Sequence, residues 1–221
     1  MRRRGAGGGL GVAARVLVPL GLVLALGGIG YFFVTYRGVT VMGEGMEPTY
    51  HRGERLVVER VDAGELRRGD VVLFHVPGRY GGAPVLQRVI GTGGDRVVCD
   101  GDRITVNGVP VDEPYVMRGE VNPGTGPYDV RVPDGRLFLL GDHRGNSHDS
   151  RFFLGEQSGS VAASGVIGRA QEGFAAPAAW GALGVLGIVV TLVGTGLGIG
   201  AYAAGRSARR SLAAVPPWPM A

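Results

Sequence analysis

The sequence predicts a mainly β domain carried between two membrane-crossing helices. Uncharged apolar stretches of membrane length stand near both ends of the 221-residue chain, and every acidic residue falls between them. The intervening region is built of short β-branched runs broken by turns. A mean hydropathy of +0.16 is too apolar for an ordinary soluble protein, and the two end stretches account for it.

The first stretch runs from Val16 to Val34, 19 residues without a charge, behind Arg2, Arg3, Arg4 and Arg15. A helix needs about 20 such residues to cross hydrocarbon. A cleaved secretory signal has the same basic start and apolar core, but its core spans only about 7 to 15 residues. The longer core, together with Tyr31-Phe32-Phe33 at its end, favours an interfacial anchor. These features place a basic tail at 1–15, a first span at 16–35 and the β domain at 36–173.

Within that domain the strand-like runs are Arg55 to Arg60, Asp70 to Val76, Leu86 to Ile90, Arg96 to Val98, Arg103 to Val106, and Arg136 to Leu140. Asn107-Gly108, set between two β-branched runs, predicts a two-residue hairpin. No window holds a helical period and no repeat is present. Gly119 to Pro127, rich in Gly and Pro, is expected to be a mobile loop. Cys99 is the one cysteine; it is expected to be buried, and it excludes an internal disulfide.

The second span is placed at 177–204, ahead of a basic tail at 205–221 that contains Arg206, Arg209 and Arg210. Trp180 and Tyr202 suit the two membrane interfaces. Gly194 with Gly198, and the offset pair Gly196 and Gly200, form small-residue faces of the kind that pair helices. The ends carry 7 Arg and no acid, whereas the region between the spans carries 16 Arg against 19 acids, a net −3. The overall +4 is therefore a topology signal: a multi-pass cell-membrane protein with both termini cytoplasmic and an extracytoplasmic middle. A nucleic-acid partner would need a basic face on the folded domain, and this domain is slightly acidic. No metal-ligand or cofactor motif is present, so neither is expected.

Four segments in order carry a resemblance. Val41-Met42-Gly43-Glu44-Gly45-Met46-Glu47-Pro48-Thr49 comes first, then Arg68-Gly69-Asp70-Val71-Val72-Leu73-Phe74. Gln87-Arg88-Val89-Ile90-Gly91-Thr92-Gly93-Gly94-Asp95 and Leu140 through Arg151 complete the set. Together they resemble the boxes of the type I signal peptidases, membrane enzymes that cut signal peptides from exported preproteins with a serine nucleophile and a lysine base. The resemblance implies a fold of two antiparallel sheets. It also assigns positions: Gly45 stands at the nucleophile, Gln87 at the base, Ser147 at the serine that orients the base, and His143 at an asparagine. Gly43, Gly45, Met46 and Leu86 fall where substrate is bound. Pro48, Asp70, Arg88, Asp142, Arg144, Asp149 and Arg151 are expected to brace the site, with Asp142 and Arg144, and Asp149 and Arg151, at the turns.

The two substitutions remove the chemistry. Glycine supplies no side-chain atom, and an amide accepts no proton at working pH. Arg88 cannot act as base, because a guanidinium stays charged. The chain contains no lysine at all, its 23 basic residues being Arg, yet a bias from Lys to Arg would leave arginine at position 87. The Gln therefore reads as specific: a neutral amide satisfied by Ser147 where an idle buried lysine would be costly. No serine occurs between residues 36 and 146, leaving Thr40, Thr49, Thr92, Thr105 and Thr125 as hydroxyls there. Ser147-His148-Asp149 are consecutive, and neighbours on an extended chain point to opposite faces, so they do not form a triad.

Three readings follow. The leading one is an inactive relative that binds signal-peptide ends of preproteins as an added strand. The alternatives are an active signal peptidase with a rewired site, and a structural partner of an active signal peptidase paralogue, held through the glycine-rich span.

Overall fold

The computed structural model describes residues 6–213, in two compact units: the terminal helices, and the β domain of Thr35–Gly173. Arg2, Arg3, Arg4 and the tail from 214 onward lie outside the described residues.

Helices α1 (Ala6–Thr35) and α2 (Ala175–Ala213) are both long and apolar enough to cross a membrane. Each is longer than the sequence predicts, because helix continues through the flanking small residues and Arg15. The two helices approach at glycine backbones. A Cβ on Gly28 would lie 2.7 Å from the Gly184 nitrogen, and one on Gly187 only 2.2 Å from that of Ala25. Tyr31 packs on Trp180 with ring centroids 4.1 Å apart. Gly194 faces Leu17 and Val18, and Gly198 faces Ala14, so this expected pairing face is occupied by the chain's own first helix. Gly196 and Gly200 have nothing within 4 Å of their Cβ positions.

The β domain holds eleven strands: β1 Tyr36–Thr40, β2 Arg55–Glu59, β3 Val71–Phe74, β4 Val85–Thr92, β5 Arg96–Cys99, β6 Ile104–Val106, β7 Val109–Pro110, β8 Tyr128–Arg131, β9 Arg136–Leu140, β10 Val161–Ala162 and β11 Val166–Ala170. They form two sheets, ordered β1-β2-β11-β3-β4-β9-β10 and β7-β6-β5-β8, with antiparallel pairing throughout. The hairpin between β6 and β7 turns at Asn107 (φ 54°) and Gly108 (φ 79°), the two left-handed positions its tight turn requires.

Strand β9 shows why the sheets sit where they do. Its alternate residues Leu137 and Leu139 enter one core with Val72, Phe74 and Val89, while Phe138 and Leu140 enter another with Val97, Ile104 and Val130. Buried on both faces, it needs a continuous apolar run, which Leu137-Phe-Leu-Leu140 supplies. A third core, of Val41, Met46, Leu56, Val58, Leu73 and Leu86, backs the segment between β1 and β2.

The Gly119–Pro127 segment, expected to be a mobile loop, carries hydrogen bonds of its own. Asn122 is buried and its amide donates to the carbonyls of Thr125 and Gly126, and Arg144 donates to the Val121 carbonyl at 3.0 Å. Cys99 is buried at 1% exposure in the core between the sheets, where burial pushes its thiol pKa up and keeps it protonated.

Candidate functional site

The segment after β1 folds back on itself through Glu47 N–H to Glu44 O at 3.2 Å and Tyr50 N–H to Met46 O at 2.9 Å, with Met46 sunk in the core. This leaves Gly45 on the surface of a cleft, its carbonyl accepting from the His143 backbone N–H at 3.1 Å. The first and last motifs are thereby joined by a main-chain bond, indifferent to the side chain at 143. Gln87 comes from β4, where it pairs with Val72, and Ser147 from the loop after β9. A Cβ on Gly45 would meet the Asn146 carbonyl at 3.4 Å and Ser147 Cβ at 3.6 Å, ordinary contacts for a side chain.

Gly43, Gly45, Met46, Leu86, Gln87 and Ser147 all line one cavity of about 730 Å³. Val58, Leu73 and Ile167 add an apolar surface to it. The sequence does not single out those three, since their burial comes from pairing between strands far apart in the chain. The bracing residues stand outside the cavity. Asp142 accepts Arg88 Nε at 2.8 Å, Arg88 Nη2 at 2.6 Å and the Thr49 hydroxyl at 2.5 Å. Arg88 also donates to Gly69 O at 2.8 Å and lies 3.9 Å over the Tyr115 ring. Burial acts to lower the Arg88 pKa, but Asp142 overrides it and the net shift is upward.

Asp142 and Arg144, both expected to brace the turns, engage different partners. Arg144 is paired with Glu113 and donates to Gly141 O at 2.8 Å. Side-chain reach decides this: Arg88 crosses from the neighbouring strand to Asp142, while Arg144 turns back beneath its own loop. Asp149 does pair with Arg151, at 2.8 and 2.9 Å, and accepts the Gly141 N–H at 3.1 Å. Asp70 closes its turn by accepting from Arg67 N at 2.8 Å, while Pro48 is exposed in the folded-back segment.

Gln87 differs from expectation. Its Nε2 donates to the His148 carbonyl at 3.2 Å, not to Ser147, and its Oε1 is buried without a partner. Tyr80, also on the cavity wall, has its hydroxyl pKa raised chiefly by burial, with the Gln87 amide opposing weakly. Of the consecutive Ser147, His148 and Asp149, the first two both line the cavity, with the His148 ring stacked on Phe152 at 4.6 Å, while Asp149 is fully buried with Arg151.

Residues 13–174 match the family model described as "Signal peptidase, peptidase S26". The chain is similar to Signal peptidase I U of Bacillus subtilis (strain 168), with 34% identity over 133 residues covering 57% of this chain and 70% of the relative. It is similar to Signal peptidase I of Bacillus licheniformis at 37% over 147 residues, covering 62% and 76%. Probable signal peptidase I-1 of Synechocystis sp. shares 34% over 178 residues, covering 76% and 84%. A crystal structure of a signal peptidase I from Enterococcus faecalis V583 is 30% identical, with a TM-score of 0.40 over 48% of this chain and 96% of that one.

Proposed function

Because the chain belongs to the signal peptidase family, peptidase S26, we propose that it is a membrane-anchored, catalytically silent member that holds signal-peptide ends without cutting them. One observation carries the reading: Gly45 and Gln87 face the same cavity, so the cleft has neither an attacking oxygen at the first position nor a proton acceptor at the second. Arg88 is committed to Asp142 and remains charged. Ser147 lies beside Gly45, but the His148 ring is held against Phe152, Asp149 is paired with Arg151, and among the described residues no hydrogen bond joins the Ser147 hydroxyl to a base. In subtilisin, loss of the serine or of the histidine alone lowers turnover by about 10⁶. A comparable loss is expected here.

Binding survives that loss on physical grounds. An extended peptide adds to a sheet or groove through backbone hydrogen bonds and shallow side-chain contacts, none of which needs a nucleophile. The apolar surface of Val58, Leu73, Leu86 and Ile167 suits small apolar residues. The charge distribution supports two spans, both termini in the cytoplasm, and a β domain of 36–173 outside the membrane.

The test is restoration. Gly45 has room for a side chain, so Gly45→Ser with Gln87→Lys is expected to cleave a preprotein at its signal junction. The unmodified chain in detergent is expected to bind an Ala-x-Ala peptide and leave it intact. Cleavage by the unmodified chain, or absence of peptide binding, overturns the reading.

A further inference from the structure

Of the buried side-chain polar atoms that lack a partner among the described residues, only Gln87 Oε1 belongs to a residue that lines the cleft. The orientation of the amide is set by its other end. Nε2 donates to the His148 carbonyl, and a carbonyl has no hydrogen to give back, so exchanging the two ends of the amide would set two acceptors against each other. Gln87 is 2% exposed, and an acceptor left unpaired at that depth is unfavourable in the unbound chain. A ligand that brings a donor removes the penalty.

The surroundings limit what that ligand is. Val58, Leu73, Leu86 and Ile167 make the nearby wall apolar, so the occupant presents small apolar groups together with a regularly placed N–H. An extended peptide has this chemistry, with side chains alternating along its length and backbone donors between them. We propose that Gln87 Oε1 accepts one backbone N–H of the bound peptide and so sets its register in the cleft. The inference rests on the peptide-holding reading and makes it specific. Oε1 is closed to water in the unbound chain, so the amide pivots about its Nε2 bond to the His148 carbonyl, keeping that bond, to bring Oε1 into the cleft as the peptide seats. Its 3.2 Å bond to His148, at the long end of the normal range, leaves that freedom.

The experiment uses the full chain in detergent and a fluorescent Ala-x-Ala peptide methylated at one backbone nitrogen at a time. For the unmodified chain, one methylated position is expected to weaken binding about three- to tenfold beyond its neighbours, the effect of one net hydrogen bond. Gln87→Met, similar in length but with no acceptor of that strength, is expected to lose the same factor with the parent peptide and to become insensitive at that position. Equal methylation profiles in the two proteins overturn the proposal while leaving the peptide-holding reading intact. No binding by the unmodified chain overturns both. If thermal melting shows Gln87→Met misfolded, the unmodified chain alone decides: a methylation profile in which every backbone position weakens binding equally overturns the proposal.

Discussion

Replacing Asp142 by Ala tests whether the site is braced as described. Asp142 has no exposed surface and accepts two bonds from Arg88 and one from Thr49, so the substitution strands a guanidinium whose side chain is only 9% exposed. Arg88 keeps the Gly69 carbonyl, the Tyr115 ring and a long 3.5 Å bond to the Thr49 hydroxyl, none of them charged, and it cannot shed its proton near neutral pH. Removing one partner of a buried pair destabilises by about 3–5 kcal/mol, a large share of the ~5–15 kcal/mol total of a domain. At about 3 °C per kcal/mol for a domain of this size, the melting temperature falls by about 10–15 °C. Thermal unfolding of the full chain in detergent, followed by near-ultraviolet circular dichroism, reads the tyrosine environments of the β domain. The control removes both charges: Asp142→Leu with Arg88→Met is expected to recover most of the loss, because apolar replacement of a whole buried pair is close to neutral. A melting point for Asp142→Ala within about 2 °C of the parent, or a double substitution as unstable as the single one, refutes the reasoning.

Three further outcomes follow from the geometry. Gly141→Ala would place a Cβ 2.2 Å from Ser147 Oγ and 2.5 Å from Gly45 O, so it is expected to destabilise by about 1–3 kcal/mol and to weaken peptide binding; unchanged melting and affinity would contradict the close approach. Burial acts to raise the Asp95 pKa, but bonds from Thr92 N–H, the Thr92 hydroxyl and Asn107, with Arg68 nearby, hold it below its ordinary 3.8. Its stabilising contribution is therefore full above about pH 4 and lost as pH falls through the depressed value, so Asp95→Asn should flatten the acid side of the stability profile; a profile as steep as the parent's would refute this. With Cys99→Ala as background, Gly11→Cys and Ala201→Cys, whose Cβ positions lie 3.9 Å apart, are expected to form a disulfide, and Gly187→Leu to abolish it by driving a side chain into Ala25; cross-linking that survives would contradict the helix pairing.

Much of the fold was legible because strands buried on both faces leave dense apolar runs, as at Val71–Phe74 and Arg136–Leu140. Strands β1, β8, β10 and β11 were not. Tyr36–Thr40 and Val166–Ala170 each carry a glycine that dilutes the strand signal, and Val161–Ala162 is too short to show any periodicity. Gly168 in β11 is there for a tertiary reason: a Cβ would come 2.5 Å from the Glu59 carbonyl on β2. The cleft residues at 43–46, 86–87 and 147 were legible because motif order put them together, and the cavity joins them. The braces were legible as residues but not as pairs. Thr49 with Asp142 spans 93 positions and Glu113 with Arg144 spans 31, and no local pattern encodes a contact of that range. The same holds for the His148 carbonyl, which takes the Gln87 donor through backbone position alone.

The most direct measurement is the turnover of a signal-bearing preprotein by the purified, unmodified chain in detergent or lipid, followed by mass spectrometry of the products over many hours. Intact preprotein throughout, alongside cleavage at the signal junction by the Gly45→Ser, Gln87→Lys chain under identical conditions, is the predicted result. Junction-specific fragments from the unmodified chain would contradict the proposal that Gly45 and Gln87 leave the cleft without a working nucleophile and base.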